Sequence, residues 1–186
     1  MADEGPGWLR RVSIWPGDGG PRQVAIDEVD GSDGFPWFEL SCGSSETSSV
    51  LDTLGQHCRG LTAVMLEDLL TPDDAPAGRS YSEGQIRLAS SFSVLAERPE
   101  EKQERGTAQR VGVLSFQPVE LLASDSWLIS CWHPTRTFRG ADKVDEGPPR
   151  NADELHRAVA GWWEQGRRNS PGDLGVAVMH ELALTY

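Results

Sequence analysis

Two successive segments in the middle of the chain have a two-residue periodicity and a third is a short apolar run, and that pattern limits the fold more than any other feature. Over 85–96, Ile86, Leu88, Phe92 and Val94 fall on one parity, with Ser90 as its small member. Over 111–117, Val111, Val113, Ser115 and Gln117 share one face, with Leu114 and Phe116 on the other. Trp127–Trp132 is a compact apolar run entered through the turn Ala123-Ser124-Asp125-Ser126. A repeat of two is that of a β-strand, whose successive side chains point to opposite faces. Separated by turn-forming residues, the three read as neighbouring antiparallel strands. An all-helical fold is excluded.

The flanking sequence adds both element types. Residues 8–15 alternate, Pro16–Pro21 forms a turn and 23–29 reads as a second strand, so a hairpin is expected. A further strand is expected over 35–42, with Pro36 near its start. Val50, Leu51, Leu54 and Cys58 recur at helical spacing, and Gly60 breaks that helix. A short helix is expected over 61–70, ended by Pro72. Residues 97–109 are highly charged and 136–150 are polar, and both are expected to be connections. Leu155, Val159, Trp162 and Trp163 mark a third helix, capped by Asn151 or Asp153, with Arg167-Arg168 in the last turn where the dipole favours cations. A last helix runs from Asp173 to Tyr186 with Pro171 at its first position. The expected class is mixed α/β: one domain over 1–186, built on a central mixed, largely antiparallel sheet of six or seven strands flanked by four helices. Residues 1–34 supply the N-terminal hairpin and turns.

Charge narrows the partners. The chain has 186 residues and a net charge of −12. Residues 1–93 carry 15 acidic and 6 basic side chains, so most of the negative charge lies in the first half. Such a field repels nucleic acid and anionic lipid headgroups and attracts cations. The seven tryptophans have no basic patch to accompany them, so they read as packing residues rather than base-stacking ones. Cys42, Cys58 and Cys131 are odd in number and lack CxxC spacing, which fits reduced thiols. The N-terminus has no basic and apolar leader, and no stretch reaches the ~20 apolar residues that span a bilayer.

Catalytic signatures are missing from the sequence. There is no phosphate-binding Gly-rich loop and no nucleophile elbow. His180-Glu181 opens like a zinc-protease motif, but position 184 is Leu. A Cys131–His57 nucleophile pair is conceivable, with no orienting group evident beside it. No enzymatic activity is expected.

One acidic pair carries chemistry. Glu67 and Asp68 are adjacent inside the short, otherwise apolar helix over 61–70. Consecutive helical residues point about 100° apart, so both cannot face the core. A hard divalent cation with oxygen ligands, Mg²⁺ or Ca²⁺, would relieve their repulsion. An exposed acid pair at a helix edge is the simpler alternative.

The segment Leu61–Leu70, with Leu66-Glu67-Asp68 at its centre, resembles the corresponding helix of the CorA family of divalent-cation channels. The surrounding order is similar too. Trp37-Phe38-Glu39-Leu40 precedes a helix ending near His57-Cys58-Arg59-Gly60. Ser126-Trp127-Leu128-Ile129-Ser130-Cys131-Trp132-His133 resembles the family's later strand, and the last helix with Glu181 and Tyr186 resembles the piece that leads into its stalk. The family's Arg-Pro-Lys triplet is replaced here by Ala75-Pro76-Ala77-Gly78-Arg79. The resemblance covers residues 35–186. It implies a metal-sensing, gating domain on the cytoplasmic face of the plasma membrane, with the stalk and membrane helices outside this chain. It implies a homopentamer regulated by weakly bound Mg²⁺, or another divalent cation such as Co²⁺ or Zn²⁺, held between subunits. It points to Glu67, Asp68, Asp73 and Glu181 as metal ligands. The alternatives are a stand-alone α/β domain that binds a metal or small ligand, and an enzyme of unrecognised type.

Overall fold

A computed structural model describes residues 6–16, 19–30, 33–41, 47–71, 78–81, 87–102, 109–139, 144–147, 152–165 and 170–183. In chain order the elements are β1 (Leu9–Trp15), β2 (Arg22–Gln23), a 3-10 turn (Ile26–Glu28), β3 (Phe35–Ser41), α1 (Thr47–Leu54) and α2 (Ala63–Leu70). There follow β4 (Gly78–Ser80), β5 (Arg87–Lys102), β6 (Gln109–Ala123), β7 (Leu128–Trp132), β8 (Thr135–Arg139), β9 (Val144–Gly147), α3 (Ala152–Gln165) and α4 (Pro171–Ala183).

The strands form one mixed sheet in the order β2-β1-β3-β7-β6-β5-β4, with β8 and β9 extending it beside the first half of β6. Among the described residues only β3 and β7 run parallel, with Trp37 opposite Leu128 and Glu39 opposite Ser130. Every other pairing is antiparallel. β6 is shared along its length: Val113–Phe116 pair with β8, and Val119–Ala123 pair with β7.

Alternation in the central strands explains the layers. Val12, Phe38, Leu40, Leu122, Ile129 and Cys131 pack on one face against Val50, Leu54, Met65, Leu66 and Leu69 of α1 and α2. Trp15, Phe35, Trp37, Val119, Leu121, Leu128 and Trp132 pack on the other against Leu155, Val159, Trp163, Leu174, Val178 and Leu182 of α3 and α4. Helices on both faces of a sheet bury each strand twice, which is why β3 and β7 are apolar at almost every position. Thr62 starts α2 by accepting the Met65 N–H at 3.4 Å. Ser170 does the same for α4, taking the Asp173 N–H at 3.2 Å.

The chain enters β3 through Gly34, at φ +146°. A Cβ there would sit 2.2 Å from the Trp15 carbonyl oxygen. Only glycine lets the two strands approach this closely where Trp15 pairs with Phe35.

The sequence reading of a mixed, mainly antiparallel sheet with four helices matches the class, but among the described residues the sheet has nine strands, where six or seven are expected. The expected strand over 23–29 is mostly the 3-10 turn, with only Arg22–Gln23 paired. The charged stretch from 97 is not a loop: β5 continues to Lys102, and Glu97 pairs with Leu114 and Lys102 with Gln109. The polar stretch from 136 supplies β8 and β9. Charge and polarity by themselves suggest irregular backbone. A strand needs only a hydrogen-bonded partner, and β6 provides one to both β5 and β8.

Candidate functional site

Of the acids expected at a metal site, Glu67 and Asp68 do not meet Glu181 within one chain. Glu67 is exposed on α2. Asp68, beside it, is half-buried, and the Tyr81 hydroxyl donates to its Oδ2 at 2.5 Å. Asp73 lies outside the described residues. Glu181 sits on α4, with Oε1 3.9 Å from His180 Nδ1. Because α2 and α4 cover opposite faces of the sheet, the Glu67–Asp68 pair and Glu181 belong to separate surfaces. Among the described residues no group of three or more His, Cys, Asp or Glu side chains is placed to hold a metal ion. Cys131 is fully buried in the apolar layer against α1 and α2.

A different polar cluster stands out on the opposite face, where α3 crosses β1 and β3. Glu39 points into this layer and is completely buried, and neither carboxyl oxygen has a hydrogen-bond partner. The nearest cation is Arg11, opposite it on β1, with Nε 3.5 Å from Glu39 Oε2. The other end of the Arg11 guanidinium donates to Asp153 in the first turn of α3. Arg10 lies 3.9 Å from the same Asp153 oxygen.

One turn along α3, His156 stacks on Trp37, with centroids 5.3 Å apart and planes within 11°. His156 Nε2 lies 3.3 Å from Ser13 Oγ, which also accepts the Trp15 indole N–H at 2.9 Å. The Trp37 indole donates to Ser130 Oγ on β7 at 3.0 Å. The Trp132 indole N–H, on the same face, is buried without a partner.

Burial governs the ionisation of this cluster. It pushes the Glu39 carboxyl up to about 7, against the pull of Arg11 and Arg10 and with a small push from Asp153. Burial also presses His156 down to about 4, helped by Arg11 and opposed by Asp153. The hydrogen bond and charge of Arg11 hold the exposed Asp153 below the usual carboxylate range. Two titratable groups are thus kept neutral beneath a surface ion pair. The sequence pattern alone puts Glu39 in a strand and Asp153 at a helix cap, and gives neither a chemical role. The signal was present as a lone acid inside Trp37-Phe38-Glu39-Leu40, a segment apolar on both parities.

A cleft of about 460 Å³ opens at the end of the sheet where β3 begins. Phe35, Gln56, His57, Asp125 and Ser126 line it, with Asp30 at its rim. Among the described residues no helix is long and apolar enough to cross a membrane.

The fold defines a three-layer α/β domain with one parallel strand pair at its centre and a buried acid beneath α3. No family model matches the sequence, and no curated protein does. Eighteen chains of solved structures do match the fold. One is the full-length CmaX protein, at TM-score 0.57 and 14% sequence identity. The alignment covers 97% of this chain and 47% of that one, so this chain spans about half the length of CmaX. At this identity the likeness is one of fold.

Proposed function

We propose that this chain is the metal-sensing, gating domain of a CorA-like divalent-cation transporter, facing the cytoplasm and acting within a homopentamer. The observation that carries the reading is the fold match to the full-length CmaX protein, over nearly all of this chain and about half of that one, taken with the resemblance of the sequence to the CorA family. Exposure of Glu67 on α2 also supports it, because a carboxylate meant for an ion shared with a neighbour must face outward. In this reading Mg²⁺, or Co²⁺ or Zn²⁺, bridges the Glu67–Asp68 surface of one subunit to acids on the next, with Asp73 and Glu181 as further ligands. Asp68 would exchange its Tyr81 bond for the ion, which keeps affinity low. A bridging ion favours the closed assembly only to the extent that it binds that state better than the open one.

The test has two arms. The first is radiotracer or fluorescence-monitored Mg²⁺ and Co²⁺ uptake by cells expressing the complete reading frame that encodes this chain, with and without E67Q/D68N. Cation-dependent uptake, with weaker shut-off by high internal Mg²⁺ in the variant, is expected. The second is NMR titration of the chain with MgCl₂. Uptake indifferent to the reading frame would overturn the transporter reading. Normal uptake with shut-off unchanged in the variant would overturn only the assignment of these acids. The cleft beside β3 favours one alternative, a domain that binds a small ligand, which a thermal-shift screen would reveal.

A further inference from the structure

The cluster beneath α3 carries an inference that does not depend on the transporter reading. Glu39 has no exposed surface, and neither oxygen accepts a hydrogen bond. Ionising such a carboxyl group without donors is costly, and the two nearby cations, Arg11 and Arg10, are both drawn to Asp153. His156 is half-buried, lies flat on the Trp37 ring, and has the Arg11 charge close by. An imidazolium in that place would lose its water and face a like charge. Both groups are therefore neutral when α3 is seated. In water near pH 5.5 both are charged, the carboxyl having lost its proton and the imidazole having gained one.

We propose that α3 docks on the sheet by a proton exchange, in which Glu39 takes up a proton and His156 releases one as the helix seats between them and solvent. The numbers of protons bound before and after are then equal, and so is the net charge. Docking is consequently insensitive to pH across the interval in which each group alone would make it strongly sensitive. The other charged groups facing Glu39 are Arg10 and Arg11 from β1 and Asp153 from α3, with Arg157 beside Asp153. From β7, Leu128, Ser130 and Trp132 share this face, and none of them is charged. Asp153, held below the usual carboxylate range by Arg11, stays charged through the interval and does not contribute to the exchange.

The device explains why the ion pair between Arg11 and Asp153 lies at the rim. That pair stays charged and hydrated, while the two groups beneath it are neutral. It holds the start of α3 in place without adding its own pH dependence near neutrality.

The test is amide hydrogen exchange in α3 of the whole chain between pH 5 and 6.5, corrected for intrinsic rates. Wild-type protection is expected to be level. In E39Q, protection should rise with pH by about tenfold per unit, since only the His156 proton remains linked. In H156Q it should fall by about tenfold per unit, since only the Glu39 proton remains. Profiles of the variants that match the wild type, or that slope in one common direction, overturn the proposal. If either variant does not fold, ¹³C NMR of the wild type at pH 6 decides. A protonated Glu39 carboxyl with a neutral His156 ring sustains the exchange, and an ionised Glu39 or an imidazolium refutes it.

Discussion

His156 lies face to face with Trp37, and the same indole donates its N–H sideways to Ser130 on the neighbouring parallel strand. One tryptophan thus joins α3, β3 and β7. Replacing it by Phe keeps a ring beneath His156 but removes the donor and leaves Ser130 Oγ without it. W37F is expected to lower stability by about 1–3 kcal/mol, measured by urea unfolding at pH 7.5. A loss confined to a few tenths would show that the stacking and the Ser130 bond are incidental.

Burial of Glu39 has a definite sign. Its carboxyl group is raised from 4.5 to about 7, so the folded chain holds this proton more tightly than the unfolded one. The resulting stabilisation is complete below pH 4.5 and is lost as pH rises through 7. Substituting Leu, of similar volume and with no charge to desolvate, should raise stability at pH 8 by about 1–3 kcal/mol. The gain should shrink toward pH 5. Lower stability of E39L at pH 8 than wild type would show that the ionised carboxylate is well solvated in the fold.

Gly34 sets the approach of β1 to β3. In G34A the new methyl group meets the Trp15 carbonyl, and the left-handed backbone is strained besides. A loss of at least about 2 kcal/mol is expected from the backbone conformation and the clash together, read from the unfolding midpoint. A soluble G34A with unchanged midpoint would mean that the two strands separate there at little cost.

Tyr81 and Asp68 form a short bond between the segment after β4 and α2. Y81F should cost about 1.5–3 kcal/mol, the range for a hydrogen bond to a charged group. It should also raise the affinity of the chain for Mg²⁺ if Asp68 is a ligand, because the competing donor is gone. Isothermal titration of wild type and Y81F with MgCl₂ separates these outcomes.

Much of the layer structure could be read from the chain because alternation and helical spacing are local. Trp37, Phe38 and Leu40 gave β3, Leu66 and Leu69 gave the inner face of α2, and Ser170-Pro171 gave the start of α4. Pairing was less accessible. The hydrophilic run from Glu97 to Lys102 has no apolar parity, and its strand state comes from β6 alongside it. The parallel union of β3 with β7 leaves no local mark either. The cluster beneath α3 was hidden for the same reason. Arg11, Glu39, Asp153 and His156 come from three elements, and only register and helix placement bring them together. The acids singled out by pattern, Glu67 and Asp68, were visible because they are adjacent in the chain.

The bond from Trp37 to Ser130 spans 93 positions in sequence. The central ladder therefore cannot close until the chain has been made through β7 and has come back to β3. Closing so long a loop is entropically expensive and is repaid only late. On a ribosome, the β1–β3 unit must wait with one edge open while β4 to β6 emerge. Refolding of this chain should accordingly be slow for its size, and its early intermediates should be prone to association through that edge.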